Sequence, residues 1–172
     1  MAEKDRNNAL GLMRRLNESG QSKVMVSTEY PQWLVIAVSQ ILALIGDDEV
    51  VTCGHDLTDY DFSRVLDDSA DTAEGKIQVL TENLLVVSEF AAPNQAKTVA
   101  IPLRQVSWIA ITAIRHALLV RDEGVWPNYV TFEVELAGNK YSFPVVPGSA
   151  SGIQHSEATS ALNTVKAALF QK

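Results

Sequence analysis

The stretch Gly75-Lys76-Ile77-Gln78-Val79-Leu80-Thr81-Glu82-Asn83-Leu84-Leu85-Val86-Val87 decides how the chain is read. Lys76–Thr81 and Leu84–Phe90 are two apolar, strand-forming runs around Thr81-Glu82-Asn83. The connection is short enough to pair them as an antiparallel hairpin, and asparagine tolerates the positive φ that tight turns use. Upstream, the apolar period shifts toward two from Glu49, and Glu49–His55 reads as a strand. Downstream, Ala91–Gln95 is a Pro/Asn turn and Lys97–Ile101 a short strand stopped by Pro102. Gln105–Ala113, rich in β-branched and aromatic residues, is the next strand. In Tyr129–Leu136, Val130, Phe132, Val134 and Leu136 face one way and Thr131, Glu133 and Glu135 the other. Ala137-Gly138-Asn139 turns the chain into a last strand, Lys140 to Val146, through Tyr141 and Phe143.

Helices flank the seven strands. Pro31 suits a first helical turn, because its missing N–H would have no partner there. Trp33–Ile45 follows, apolar nearly all round, with a thin polar stripe near Gln32 and Ser39 and a stop at Gly46. Such a helix must be covered on most sides, by its own chain or by a second protomer. Ala9–Glu18 spaces Leu10, Met13 and Leu16 three apart, with Arg14 and Arg15 opposite, and reads as a short amphipathic helix after a frayed 1–8. At the other end Ser156 can cap a helix whose apolar stripe is Ala158, Leu162, Val165, Ala168 and Leu169.

The chain has 172 residues, of which 47% are hydrophobic and 20% charged, enough for one packed core. The net charge of -7 opposes general nucleic-acid binding and a polybasic grip on anionic lipid. Asp47 to Glu74 holds ten carboxylates and one cation, Arg64. Cys53 is the single cysteine, so no intrachain disulfide forms, and a cytoplasmic location is the default. The thirteen residues Trp33–Ile45 are too few to cross a membrane.

Four motifs in order carry a resemblance. Gly75–Val87 resembles the first hairpin of GRAM and bacterial pleckstrin-homology-like domains, and Ile101-Pro102-Leu103-Arg104-Gln105-Val106 the strand entry that follows it. Phe132–Leu136 with Gly138–Phe143 looks like their last hairpin, and the C-terminal helix like the one that caps their barrel. The resemblance spans about residues 49–171 and leaves 1–46 as an N-terminal helical extension of a domain at 47–172. It implies an α+β, mostly β fold: a seven-stranded antiparallel barrel capped by the last helix. It further implies a noncatalytic scaffold that binds phosphoinositides, peptides or other proteins. Lipid-binding members use basic residues in the loop after the first strand. Here that loop, Asp56–Glu74, is acidic and would repel phosphate.

The residues offer little independent chemistry. Cys53 and His55 lie two apart on one strand face, where a thiol beside an imidazole could serve as nucleophile and base. No third orienting residue accompanies them, and a packed thiol with a strand-end histidine is the simpler account. Asp56, Asp59, Asp61, Asp67, Asp68 and Asp71 could offer oxygen to a cation, but without EF-hand spacing they read as a solvated loop open to a basic partner. His55, His116 and His155 have no zinc-ligand spacing, so neither a metal nor a cofactor is expected. Trp108, Trp126 and Tyr129 read as core or rim aromatics.

The expected function is a noncatalytic binding module acting through protein–protein contacts, with a basic partner or a homodimer through Pro31–Ile45. One alternative is recruitment to a lipid surface, with Leu10–Leu16 or Trp33–Ile45 in the interface and Arg14 and Arg15 near headgroups. A second is a small hydrolase built on Cys53 and His55.

Overall fold

The computed structural model describes residues 3–19, 24, 30–57, 74–92, 95–114, 129–146 and 152–171. In chain order they form α1 (Glu3–Glu18), α2 (Gln32–Ile45), β1 (Val50–His55), β2 (Gly75–Thr81), β3 (Leu84–Ala92) and β4 (Gln95–Pro102). A 3₁₀ turn, Leu103–Gln105, leads to β5 (Val106–Ala113), β6 (Thr131–Leu136), β7 (Asn139–Phe143) and α3 (Gly152–Phe170).

The β2–β3 hairpin forms as its sequence demands, running from Leu80↔Leu85 to Gly75↔Phe90. A hydroxyl closes its turn, not a positive φ at Asn83: Thr81 Oγ1 accepts the Leu84 N–H at 3.0 Å and donates to Asp48 Oδ2 at 3.2 Å. In the β6–β7 hairpin, by contrast, Ala137 and Gly138 both take positive φ (51° and 81°), matching the right-handed twist of the strands.

The seven strands do not close into a barrel. They form two antiparallel sheets, β1-β2-β3-β4 and β5-β6-β7, packed with three helices among the described residues. The fold is α+β, and the expected single barrel is corrected to two open sheets. Closure would need β4 to pair with β5 and β7 with β1. The 3₁₀ turn takes the chain off β4 before β5 begins, and its Leu103 N–H is held by the Asn83 carbonyl at 2.9 Å. On the other side, the Val50 and Val51 carbonyls of β1 accept from Arg15 of α1, at 2.9 and 3.2 Å. Near the end of β1 a Cβ on Gly54 would stand 2.8 Å from Val145 Cγ2, so the chain beyond β7 meets β1 as packing without a ladder.

The four-stranded sheet packs against a layer on each face, and one end of its inner face stays open. Its outer face presents Cys53, Val79, Val86 and Phe90 to a cluster with Leu12, Met13 and Leu16 of α1 and Trp33, Leu34, Ala37, Val38 and Ile41 of α2. Trp33 stands edge-on to Phe90, ring centroids 5.0 Å apart. Where β4 turns polar, Thr98 donates to Gln40 Oε1 of α2 at 2.6 Å. The inner face carries Leu80, Leu85, Val87 and Ile101 against Val130, Phe132, Val134, Leu136, Tyr141 and Phe143 of the second sheet and Ala158, Ala161, Leu162 and Val165 of α3. Each fully buried aliphatic or aromatic side chain of this kind contributes about 1.5–3 kcal/mol.

Both terminal helices start earlier than their sequence signals. α1 begins at Glu3, inside the stretch expected to fray, and α3 at Gly152, ahead of the Ser156 cap. α1 is fastened to the far end of the chain. Arg15 Nη2 lies 2.8 Å from Glu157 Oε1, Glu157 Oε2 accepts from Thr52 Oγ1 at 2.9 Å, and Gln154 Nε2 donates to the Ser19 carbonyl.

Candidate functional site

Cys53 and His55 share the outer face of β1, paired with Val79 and Ile77 and roofed by the helices. They are 4% and 2% exposed. Burial pushes the Cys53 thiol up to about 12 against the opposing pull of the Arg15 guanidinium. At neutral pH the sulfur is therefore a protonated, sealed thiol, whereas a nucleophile needs an accessible thiolate. His155 lies on α3 with its ring centroid 4.9 Å from that of Tyr129. No group of three potential metal ligands occurs among the described residues. His116, Trp126 and the aspartates Asp59, Asp61, Asp67, Asp68 and Asp71 lie outside the described residues, as does most of the acidic connection expected to meet a basic partner.

The first open region lies between the sheets. Register stacks the inner face of the larger sheet in rows: Leu80–Leu85–Ile101, then Gln78–Val87–Val99, then Lys76–Glu89–Lys97. The sandwich is closed at the first row and polar at the third, where Lys76, Glu89, Lys97, Val99, Lys140 and Tyr141 line an opening of about 530 Å³. Among the described residues three lysines and one glutamate line it, with Asp56 beside Lys76. Asp56 Oδ2 lies 3.9 Å from Lys76 Nζ, and Glu89 sits between Lys76 and Lys97 in register. Burial, and behind it the Glu89 carboxylate, pushes the Tyr141 phenol up. Lys140 turns its ammonium to the outside, 5.4 Å from the Trp108 ring centroid. On that outer face Ser107 and Trp108 donate to Glu135 at 2.8 and 2.9 Å and hold its carboxyl below the usual range.

The second open region runs over the helices. Leu12 and Arg15 of α1, Leu42 and Ile45 of α2, and Asp48, Glu49 and Val50 beyond it enclose a groove of about 690 Å³. A second hollow of about 390 Å³ adjoins it and shares Asn8, Leu42, Gly46 and Asp47. α2 buries Trp33, Leu34, Ala37, Val38, Ile41 and Ile45 under its own chain. It leaves Val35 37% and Leu44 41% exposed, with Ser39 and Ala43 also on the surface. Met13, Leu16, Trp33, Leu34 and Ile41, which a membrane-lying helix would turn toward lipid, are buried in the protein's own core. No helix among the described residues is long and apolar enough to cross a membrane.

Sequence reading passed over this groove. The signals were Gly11 in the interior of an otherwise good helix, and Asp47-Asp48-Glu49 directly after a helix whose last turn holds no cation. The sequence places Arg15 with Arg14 on the polar side of α1. The structure separates them, Arg14 exposed and Arg15 turned inward to the β1 carbonyls. Compared with known proteins, the chain matches no protein-family model, no curated protein and no solved structure.

Proposed function

We propose that the protein is a noncatalytic, cytoplasmic binding module, related to the GRAM and pleckstrin-homology-like group its motifs resemble, that works by docking a helical segment of another protein on the α1–α2 surface. The observation that carries this reading is the pair of adjoining hollows between α1 and α2, lined in part by the apolar positions Leu42 and Ala43. Concave surface with an apolar lining and polar groups around it is a common mark of a protein contact. The strand order β1–β7 followed by α3 agrees with the order in the resemblance, with the sheets left open. The sealed Cys53 thiol supports a surface that binds without chemistry.

Site-specific photo-crosslinking in the native cell tests this. A benzoylphenylalanine at Ser39 or Ala43 is expected to give discrete heavier adducts, and one at Glu133, on the second sheet, none. Adducts only from Glu133, or from no position, refute the reading. An adduct of twice the protomer mass identifies a homodimer through α2 instead.

A further inference from the structure

β4 carries a gradient of chemistry along one face. Thr98 points to α2, where it donates to Gln40, so Lys97, Val99 and Ile101 share the opposite, inner face of the strand. All three line the opening of about 530 Å³ between the sheets, a volume within the range of small-molecule sites. Along them the lining passes from the Lys97 ammonium to Val99, 40% exposed, and then to Ile101, 8% exposed. The passage takes four residues, about 13 Å of strand. An apolar side chain left open inside a concave wall gains from cover by another apolar group.

The facing wall comes from β7. Tyr141 is 8% exposed, packs in the core between the sheets and lines the same opening. Other charges at the rim have neighbours of their own. Lys76 Nζ lies 3.9 Å from Asp56 Oδ2, and the Lys140 ammonium rests over the Trp108 ring. Glu89 stands beside Lys76 and Lys97 in register, and its carboxylate opposes any anion that enters.

We infer that the opening is a site for a small amphipathic carboxylic acid, its carboxylate at the Lys97 ammonium and its alkyl chain over Val99 toward Ile101, against the Tyr141 ring. One charge and one apolar chain match the order of the lining. A compact anion of several charges would bring more repulsion against Glu89 and leave Val99 open. The site lies apart from the α1–α2 surface and adds a small ligand to a module whose helices face a protein.

The probes are butanoate, hexanoate and octanoate, titrated into the ¹⁵N-labelled full chain, with hexanamide as the uncharged comparison. Saturable amide shifts are expected at Val99, Ile101, Asn139 and Tyr141. Affinity should rise along the series by about two- to fourfold per added methylene, the upper value being that of full burial. Hexanoate should bind at least fivefold more tightly than hexanamide. Lys97→Met should remove that advantage and leave hexanamide binding within twofold, while Lys97→Arg keeps it. Glu89→Gln should strengthen hexanoate binding at least twofold. Both positions are exposed, so these variants keep the fold, which circular dichroism verifies. Equal affinity for hexanamide, an unchanged hexanoate affinity in Lys97→Met, weaker binding in Glu89→Gln, or no rise along the series overturns the inference. So does the absence of saturable shifts at those amides, or shifts confined to Leu42 and Gly46, which would place the acid in the hollows beside α2. Crosslinking from Ser39 and Ala43 reads the α1–α2 surface independently of these titrations.

Discussion

The two faces of the four-stranded sheet are built from the same strands and finished in opposite ways. On the outer face the rows Cys53–Val79–Val86–Ala100 and His55–Ile77–Ser88–Thr98 lie beneath α1 and α2, buried from β1 to β3 and half-buried at β4. On the inner face the cover is graded, from buried Leu80, Leu85 and Ile101 to the open row Lys76–Glu89–Lys97. A fully covered face pushes recognition outward, onto the far side of whatever covers it. A partly covered face leaves a polar rim, here lined by Lys76, Glu89, Lys97 and Lys140. The helices thus act both as lid for one core and as the outward surface of the molecule.

The sharpest test of this pairing is whether both covers belong to one cooperative unit. Trp33→Ala removes a ring packed on Phe90, and Phe132→Ala a ring stacked on Phe143 at 5.1 Å. Each should lower unfolding free energy by about 3–5 kcal/mol in urea titrations followed by circular dichroism. A loss below about 1 kcal/mol from Trp33→Ala alone would make the helices a detachable cover.

Next in size is the seam between the sheets. Gly54→Ala places a methyl against Val145, and overpacking of this kind costs about 1–3 kcal/mol. A neutral result would mean that β1 and the chain after β7 can part freely.

The sealed thiol gives a pH test of the outer face. Cys53 ionises near 9.0 in an ordinary environment and at about 12 in the fold. Its raised value favours the folded state below pH 9, and that advantage drains away as pH rises toward 12. The slope is about 1.4 kcal/mol per pH unit. Cys53→Ala should flatten the alkaline loss of stability between pH 9 and 10 relative to the parent protein. Parallel curves would show that the thiol is reached by water in the native state.

Gly11→Ala is the smallest change and runs the other way. It should raise stability by about 0.5–1 kcal/mol, read as a higher urea midpoint. A loss would reveal a backbone need at that position.

Much of the local structure was legible. Val130, Phe132, Val134 and Leu136 alternate in sequence and are all buried, because β6 has one covered face. β2 has two, and Ile77 to Thr81 are buried without interruption, so its pattern names a strand but not what lies on either side. The count of seven strands therefore invited a single closed sheet. Closure depends on pairings such as β1 with β7, and what prevents them here, Arg15 on the β1 carbonyls and Val145 against Gly54, joins residues far apart in the chain. The groove was hidden for a related reason. In sequence Asp47-Asp48-Glu49 belongs with the acidic connection, and only the seating of the α2 C-terminal turn beside the middle of α1 brings Gly11 to the same hollow. Ala161 lies outside the expected stripe of α3 because that helix meets three surfaces, β1 of the first sheet, the second sheet and the 3₁₀ turn, where a single-faced helix would meet one.

One guanidinium has consequences for how the molecule is made. Arg15 leaves the ribosome early, yet the carboxylate that completes its clamp, Glu157, lies 142 residues later. Contacts of such long range form late and slow the approach to the native state. Until then the carbonyl edge of β1 waits open to pairing with another chain, the hazard that unprotected strand edges carry. Shortening the carboxyl end, or fusing a bulky tag close to α3, would therefore be felt first at the opposite terminus, as aggregation during synthesis.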